Sequence, residues 1–173
     1  MMGWIIALAI IVSNVEGAFV PCLKLPRNTN HTKHGIRMKQ LWFSGTSLPL
    51  YVDYRATGRV VSVVKDQASC GSCWAFSASE SIEGQMGLNG HLENMSAQNF
   101  VDCVSEDYGC GGGWPDDAMG YAENHGLLTD RAYPYSGSTQ PCNDTIPDAP
   151  QRIDFYAEID KGDDMSLANA LLL

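Results

Sequence analysis

Apolar residues along this chain fall into stretches of different period, and each stretch predicts a different element. Residues 3–12 (GWIIALAIIV) are apolar with no period, followed by polar Ser13 and Asn14 and small Gly17 and Ala18. A run this short does not reach the roughly 20 residues of a spanning helix. Its order is that of a secretory signal, residues 1–17, cleaved near Gly17, with a membrane anchor as the alternative. Residues 60–64 (VVSVV) are β-branched and predict an extended segment or strand. From Ser72 the period becomes helical: Ala75, Ala78, Ile82 and Met86 share one face, Ser72 stands at the N-cap, and Gly87 and Gly90 flank the exit. A second helix is predicted from Ser96 through Cys103, and a third over 116–124, with Ala118, Tyr121 and Ala122 on one face and Gly126 as its stop. The glycines at 109 and 111–113 read as irregular backbone. From Thr129 onward the chain reads as loop, with Tyr133-Pro134-Tyr135 and prolines at 141, 147 and 150. Residues 165–173 begin another apolar helix that meets no capping residue, which predicts an interrupted sequence.

With 173 residues, 45% of them hydrophobic, one domain with its own core is expected. A net charge of −9 argues against nucleic acid or an anionic membrane as partner. The charge is uneven: residues 18–47 carry Lys24, Arg27, Lys33, Arg37 and Lys39 and no acid, so this leader reads as a solvated basic linker, with docking on the acidic body as the alternative. Six cysteines behind a signal predict disulfides. Sequons at Asn30, Asn94 and Asn143 fit the same route, although Ser96 is also needed as a helix cap.

The chemistry concentrates in Cys70-Gly71-Ser72-Cys73-Trp74. Cys73 falls in the first turn of the predicted helix, where the macrodipole favours thiolate over thiol. As a redox pair, Cys70 and Cys73 would need a βαβ context that the flanking sequence lacks. As half of a zinc site they would need a second close pair, and Cys103 and Cys110 are too far apart. The pentapeptide matches the C-G-[SA]-C-[WY] signature at every position, and the chain resembles the papain-like cysteine proteases, in particular the cathepsin L branch. Residues 96–103 (SAQNFVDC) and Gly109-Cys110-Gly111-Gly112-Gly113 are similar to further motifs of that branch, and Leu48-Pro49-Leu50-Tyr51-Val52-Asp53-Tyr54 resembles a mature N-terminus with Tyr54 for the usual Trp.

The resemblance implies an α+β fold class, of which residues 48–173 would be the mainly helical half of a two-domain fold, with 18–47 as a short propeptide-like leader. It implies that Cys73 is a free nucleophile, that Gln67 donates into the oxyanion hole, that Gly112 and Gly113 bind an extended peptide backbone, and that Trp114 and Pro115 wall the S2 pocket. It implies disulfides Cys70 to Cys110 and Cys103 to Cys142, with Cys22 left free or intermolecular. No metal or cofactor is expected; the partners are a peptide or protein substrate and cystatin-type inhibitors, in a lysosomal or extracellular setting, with no membrane after signal removal. Ala68 stands where the family has Gly, so a positive φ there would strain the oxyanion turn by about 1 kcal/mol.

A thiolate protease needs an imidazole, which the family supplies with an orienting Asn about 130–150 residues after the nucleophile, beyond Leu173. His31 and His34 lie in the leader, His91 follows the first helix and His125 closes the third, so none is read as the base. Two functions follow: a cysteine endopeptidase whose His and β-barrel half lie outside this sequence, inactive as written, or a non-catalytic peptide-binding or inhibitory half-domain.

Overall fold

The computed structural model describes residues 6–7, 36–37, 49–147, 150–154, 156–159 and 162–172. Its long helix α1, Cys73–Leu88, runs through the middle of the core, with α2 (Ala97–Cys103) and α3 (Pro115–Asn124) packed on it. A short α4, Asp164–Ala170, comes near the end of the chain. Three short strands, β1 (Ile6–Ala7), β2 (Ile36–Arg37) and β3 (Tyr156–Glu158), form a parallel sheet in the order β1-β3-β2, in which Ile6 pairs with Tyr156 and Ile36 with Ala157. The described part is thus mainly helical. Apart from Ile6, Ala7, Ile36 and Arg37, the expected signal and leader lie outside the described residues, Cys22 among them.

The face predicted for α1 is the one that is buried. Ala75, Ala78 and Ile82 are fully enclosed, and Met86 packs at the edge. Small residues let α2 and α3 approach closely, and Trp74, Phe100, Met119 and Leu127 fill the space between. Each such large side chain contributes roughly 1.5–3 kcal/mol when fully buried. Ser96 caps α2 as expected, its Oγ accepting from Asn99 N–H at 2.9 Å. Pro115 at the first position of α3 and Gly126 (φ +84°) just beyond its end bound that helix.

One local expectation is narrowed and another differs. Residues 60–64 form no strand, and Val61, Val63 and Val64 are exposed. Their segment is held by side chains instead, through Ser62 and Lys65 to Glu83 on α1. The glycine cluster is partly regular: Gly109–Gly111 is a turn of 3-10 helix, closed by Gly111 N–H donating to Tyr108 O at 2.8 Å.

Candidate active site

Residues 65–73 form a chain of tight turns leading into α1. Asp66 Oδ1 accepts from Ala68 N–H at 2.8 Å, and Ala68 takes the left-handed conformation at φ +53°. The strain expected from an alanine in the glycine position is therefore present, and the Asp66 carboxylate stabilises the turn that carries it. Gly71 passes so close to the next segment that a Cβ there would sit 2.7 Å from the Cys110 carbonyl oxygen. Its N–H donates to that oxygen at 3.0 Å, beside the Cys70–Cys110 disulfide. The second disulfide, Cys103–Cys142, also forms as expected.

Ser72 occupies the cap position of α1, but its side chain makes no capping bond. Its partner is Tyr135, whose hydroxyl lies 2.6 Å from Ser72 Oγ and donates to the Gln67 carbonyl at 2.8 Å. A carbonyl only accepts, so the single phenol proton goes to Gln67 and the Ser72 hydroxyl donates to Tyr135. Burial raises the Tyr135 pKa, with the Asp66 charge adding to it, which keeps the phenol a donor. Its ring also meets Phe76 edge-on, with centroids 4.8 Å apart.

Cys73 is the first residue of α1 and half-buried, at the positive end of the helix macrodipole. It lies with Gln67 in a groove of about 850 Å³ bordered by residues 60–67, Phe76, Glu80 and Leu171. The Gln67 amide donates to Cys70 O at 2.9 Å, which uses one of its two N–H groups. No histidine lines this groove among the described residues. His91 faces a different cavity with Ile82, Met86 and Arg152, and His125 stacks on Tyr121 at 4.7 Å at the end of α3.

One expectation fails here. Cys73 is not a free thiol; it is disulfide-bonded. The physics that favours a nucleophile also favours this state, because disulfide exchange begins with attack by a thiolate.

Gly112, Gly113, Trp114 and Pro115 are not among the residues lining the Cys73 groove; Gly113 packs against Trp74. Trp74 Nε1–H donates to Gly109 O at 3.1 Å, and a Cβ on Gly113 would lie 2.7 Å from the Trp74 ring and 2.6 Å from Asp107 Cγ. Gly113 thus has to be bare on its buried side for packing, whatever its outer side binds. Trp114 N–H donates to Asp107 Oδ1 at 3.0 Å.

Two groups escaped the sequence reading. Glu83 is 1% exposed on the apolar face of α1, where its Oε1 takes the Lys65 ammonium and the Met95 N–H (2.7 Å) and its Oε2 takes the Ser62 hydroxyl (2.7 Å). A carboxylate adjoining Ile82 on a buried face, with a lysine just ahead of the helix, was the available signal. Asp107 had none, since its environment is assembled by the glycine loop and α3.

The profile of papain-family cysteine proteases matches residues 48–173. Mouse cathepsin K is 41% identical over 126 residues, covering 72% of this chain and 38% of the relative. Digestive procathepsin L 3 from the larval midgut of Tenebrio molitor superposes with a TM-score of 0.72 at 37% identity, covering 80% of this chain and 46% of that one. A Carica candamarcensis cysteine protease, solved in complex with E-64, gives 0.59 at 35% identity, over 62% and 51%. The chain therefore spans less than half of the mouse relative's length. The described elements are the helical half of the papain-like fold, and the chain belongs to the papain family of cysteine proteases.

Proposed function

We propose that residues 48–173 are the nucleophile half of a cysteine endopeptidase, with residues 1–17 a secretory signal and 18–47 a leader. The observation that carries this reading is Cys73 opening α1 in one groove with Gln67. Once its disulfide is reduced by a thiol, the Cys73 thiolate attacks the scissile carbonyl carbon, and the carbonyl electron pair moves onto oxygen. The second Gln67 N–H and the Cys73 backbone N–H face that oxyanion, a contribution of about 2.7–4 kcal/mol per donor. Its collapse expels the amine, which takes a proton from an imidazolium supplied outside residues 1–173, and water then releases the acyl group from sulfur. Gly112 and Gly113 offer backbone to an extended peptide, Trp114 and Pro115 wall S2, and cystatin-type inhibitors would occupy the same surface. The setting is the secretory route to a lysosome or the exterior, and no described helix is long and apolar enough to cross a membrane.

A second reading, a peptide-binding half without turnover, is favoured by the oxidised state of Cys73. One experiment separates the two. The 173-residue chain alone takes iodoacetamide on Cys73 only after reduction and does not cleave an apolar-P2 peptide. Joined to sequence bearing the family's His and Asn, the reduced protein cleaves it, and Cys73→Ala abolishes cleavage. Cleavage by the reduced chain alone would show that the base lies within it, and cleavage surviving Cys73→Ala would remove the nucleophile assignment.

Of the sequons, Asn143 is the acceptor we propose. It is exposed, and its Oδ1 accepts from Thr145 Oγ1 (2.7 Å) and Thr145 N–H (3.2 Å), a geometry that leaves Nδ2 for the sugar. At Asn94 the partner hydroxyl, on buried Ser96, is spent on Tyr133 O and Asn99 N–H. The protein secreted from eukaryotic cells should lose mass on N-glycosidase treatment, and Asn143→Gln should lose one glycan's mass less; an Asn143→Gln product that shifts as much as the wild type would reassign the site.

A further inference from the structure

Asp107 lies beneath the glycine loop. Its Oδ1 accepts the Trp114 N–H at 3.0 Å, while its Oδ2 is buried with no hydrogen-bond partner. Its Cγ is the atom nearest to where a Cβ on Gly113 would stand, at 2.6 Å, and Trp74 closes the other side. The backbone of residues 112–114 is gripped further by Tyr108 N–H, which donates to Gly112 O at 3.0 Å. Among the described residues, the charges acting on this carboxyl are Asp117 and Asp116, from the first turn of α3, and Glu106 beside it, all acidic.

We propose that Asp107 is a positioning residue for peptide binding: as a neutral acid it stays under the loop and fixes Gly113 and Trp114, and on ionising it is driven outward and loosens them. This rests on the reading of Gly113 as a contact for the substrate backbone. A carboxylate in this place would have one oxygen satisfied and the other enclosed, next to further negative charge, and the cost of that arrangement is relieved only by leaving. Burial, with Asp117, Asp116 and Glu106 adding to it against the Trp114 hydrogen bond, pushes the Asp107 pKa up to about 8. The sign follows from linkage. Between the ordinary carboxyl range and about pH 8 the seated form binds a proton that the exposed form does not, so seating weakens as pH rises and the change levels off above about 8. The loop is accordingly firmest in acid, where a lysosomal protease would work.

Amide exchange at Trp114 in the 173-residue chain tests this, corrected for the intrinsic rate, with the Leu127 amide, which donates to Gln151 O at 2.9 Å, as internal reference. Trp114 protection should fall about tenfold per pH unit between about pH 5 and 7 while Leu127 changes little. Asp107→Asn, which keeps an acceptor and cannot ionise, should flatten the profile; Asp107→Ala should leave Trp114 poorly protected throughout. A fluorescein-labelled apolar tetrapeptide should lose affinity in parallel with the wild-type protection. A flat wild-type profile overturns the proposal whether or not the variants fold, and so does an Asp107→Asn profile that keeps the wild-type slope. Protection that falls while peptide affinity holds level also overturns the positioning role, and places the fault in the Gly113 reading rather than in Asp107.

Discussion

Glu83→Ala lowers the free energy of unfolding by about 3–5 kcal/mol, out of the roughly 5–15 kcal/mol that holds a domain of this kind together. Glu83 is 1% exposed and receives three donors, from Lys65, Ser62 and the Met95 backbone. Truncation leaves the Lys65 ammonium, on a side chain only 13% exposed, without its direct ion-pair partner, with Glu80 the acid remaining nearby, together with an orphaned N–H in the core. The loss also reaches the turn at Ala68, because Lys65 and Ser62 tie the segment before it to α1. Urea unfolding at neutral pH measures it. Glu83→Gln should fall between the wild type and Ala, and Lys65→Met with Glu83→Leu should recover part of the loss, since an apolar pair leaves no charge behind. A cost under about 1 kcal/mol for Glu83→Ala would mean that this cluster is not what fixes residues 60–65.

Replacing Cys103 and Cys142 together by serine removes about 4 kcal/mol in the chain-entropy account. The bridge spans 39 positions, and its opening releases the stretch between α2 and the proline-rich loop. Much of the effect comes from the freer unfolded chain, so the midpoint of denaturant unfolding should drop while Cys73, once reduced, keeps its alkylation rate. Opening Cys70–Cys110 instead frees the Gly71 contact beside Cys73, and should slow that alkylation as well as destabilise the fold. Equal alkylation rates in the two double variants would contradict this division of labour.

What was legible in the sequence was local. The buried face of α1, the Ser96 cap and the third helix follow from residues within two or three turns of each other. The positive φ at Ala68 was legible because it replaces a family glycine. Both disulfides came from the family resemblance, since six cysteines alone permit other pairings. What was not legible depends on partners distant in sequence. Ser72 has the type and place of a cap, but it makes no capping bond, and its partner Tyr135 arrives from 63 positions away. The valines of residues 60–64 have strand propensity but no neighbouring strand among the described residues, so side-chain ties to Glu83 set their path. Asp107 looked like one acid among several in a loop; its place beneath Gly113 exists only after the glycine turn and α3 have folded around it. The oxidation of Cys73 is a matter of chemical state, which a motif does not specify.

Tyr135 joins three pieces of the molecule through one oxygen: the Gln67 carbonyl, the Ser72 side chain and its own loop. That loop has no helix or strand, and residues 138–141 within it are exposed. A protease clipping there cuts inside the ring closed by Cys103–Cys142, so the products remain one covalent molecule with Tyr135 still seated. The turn at Ala68 is therefore braced by a strut that survives a break in its own backbone.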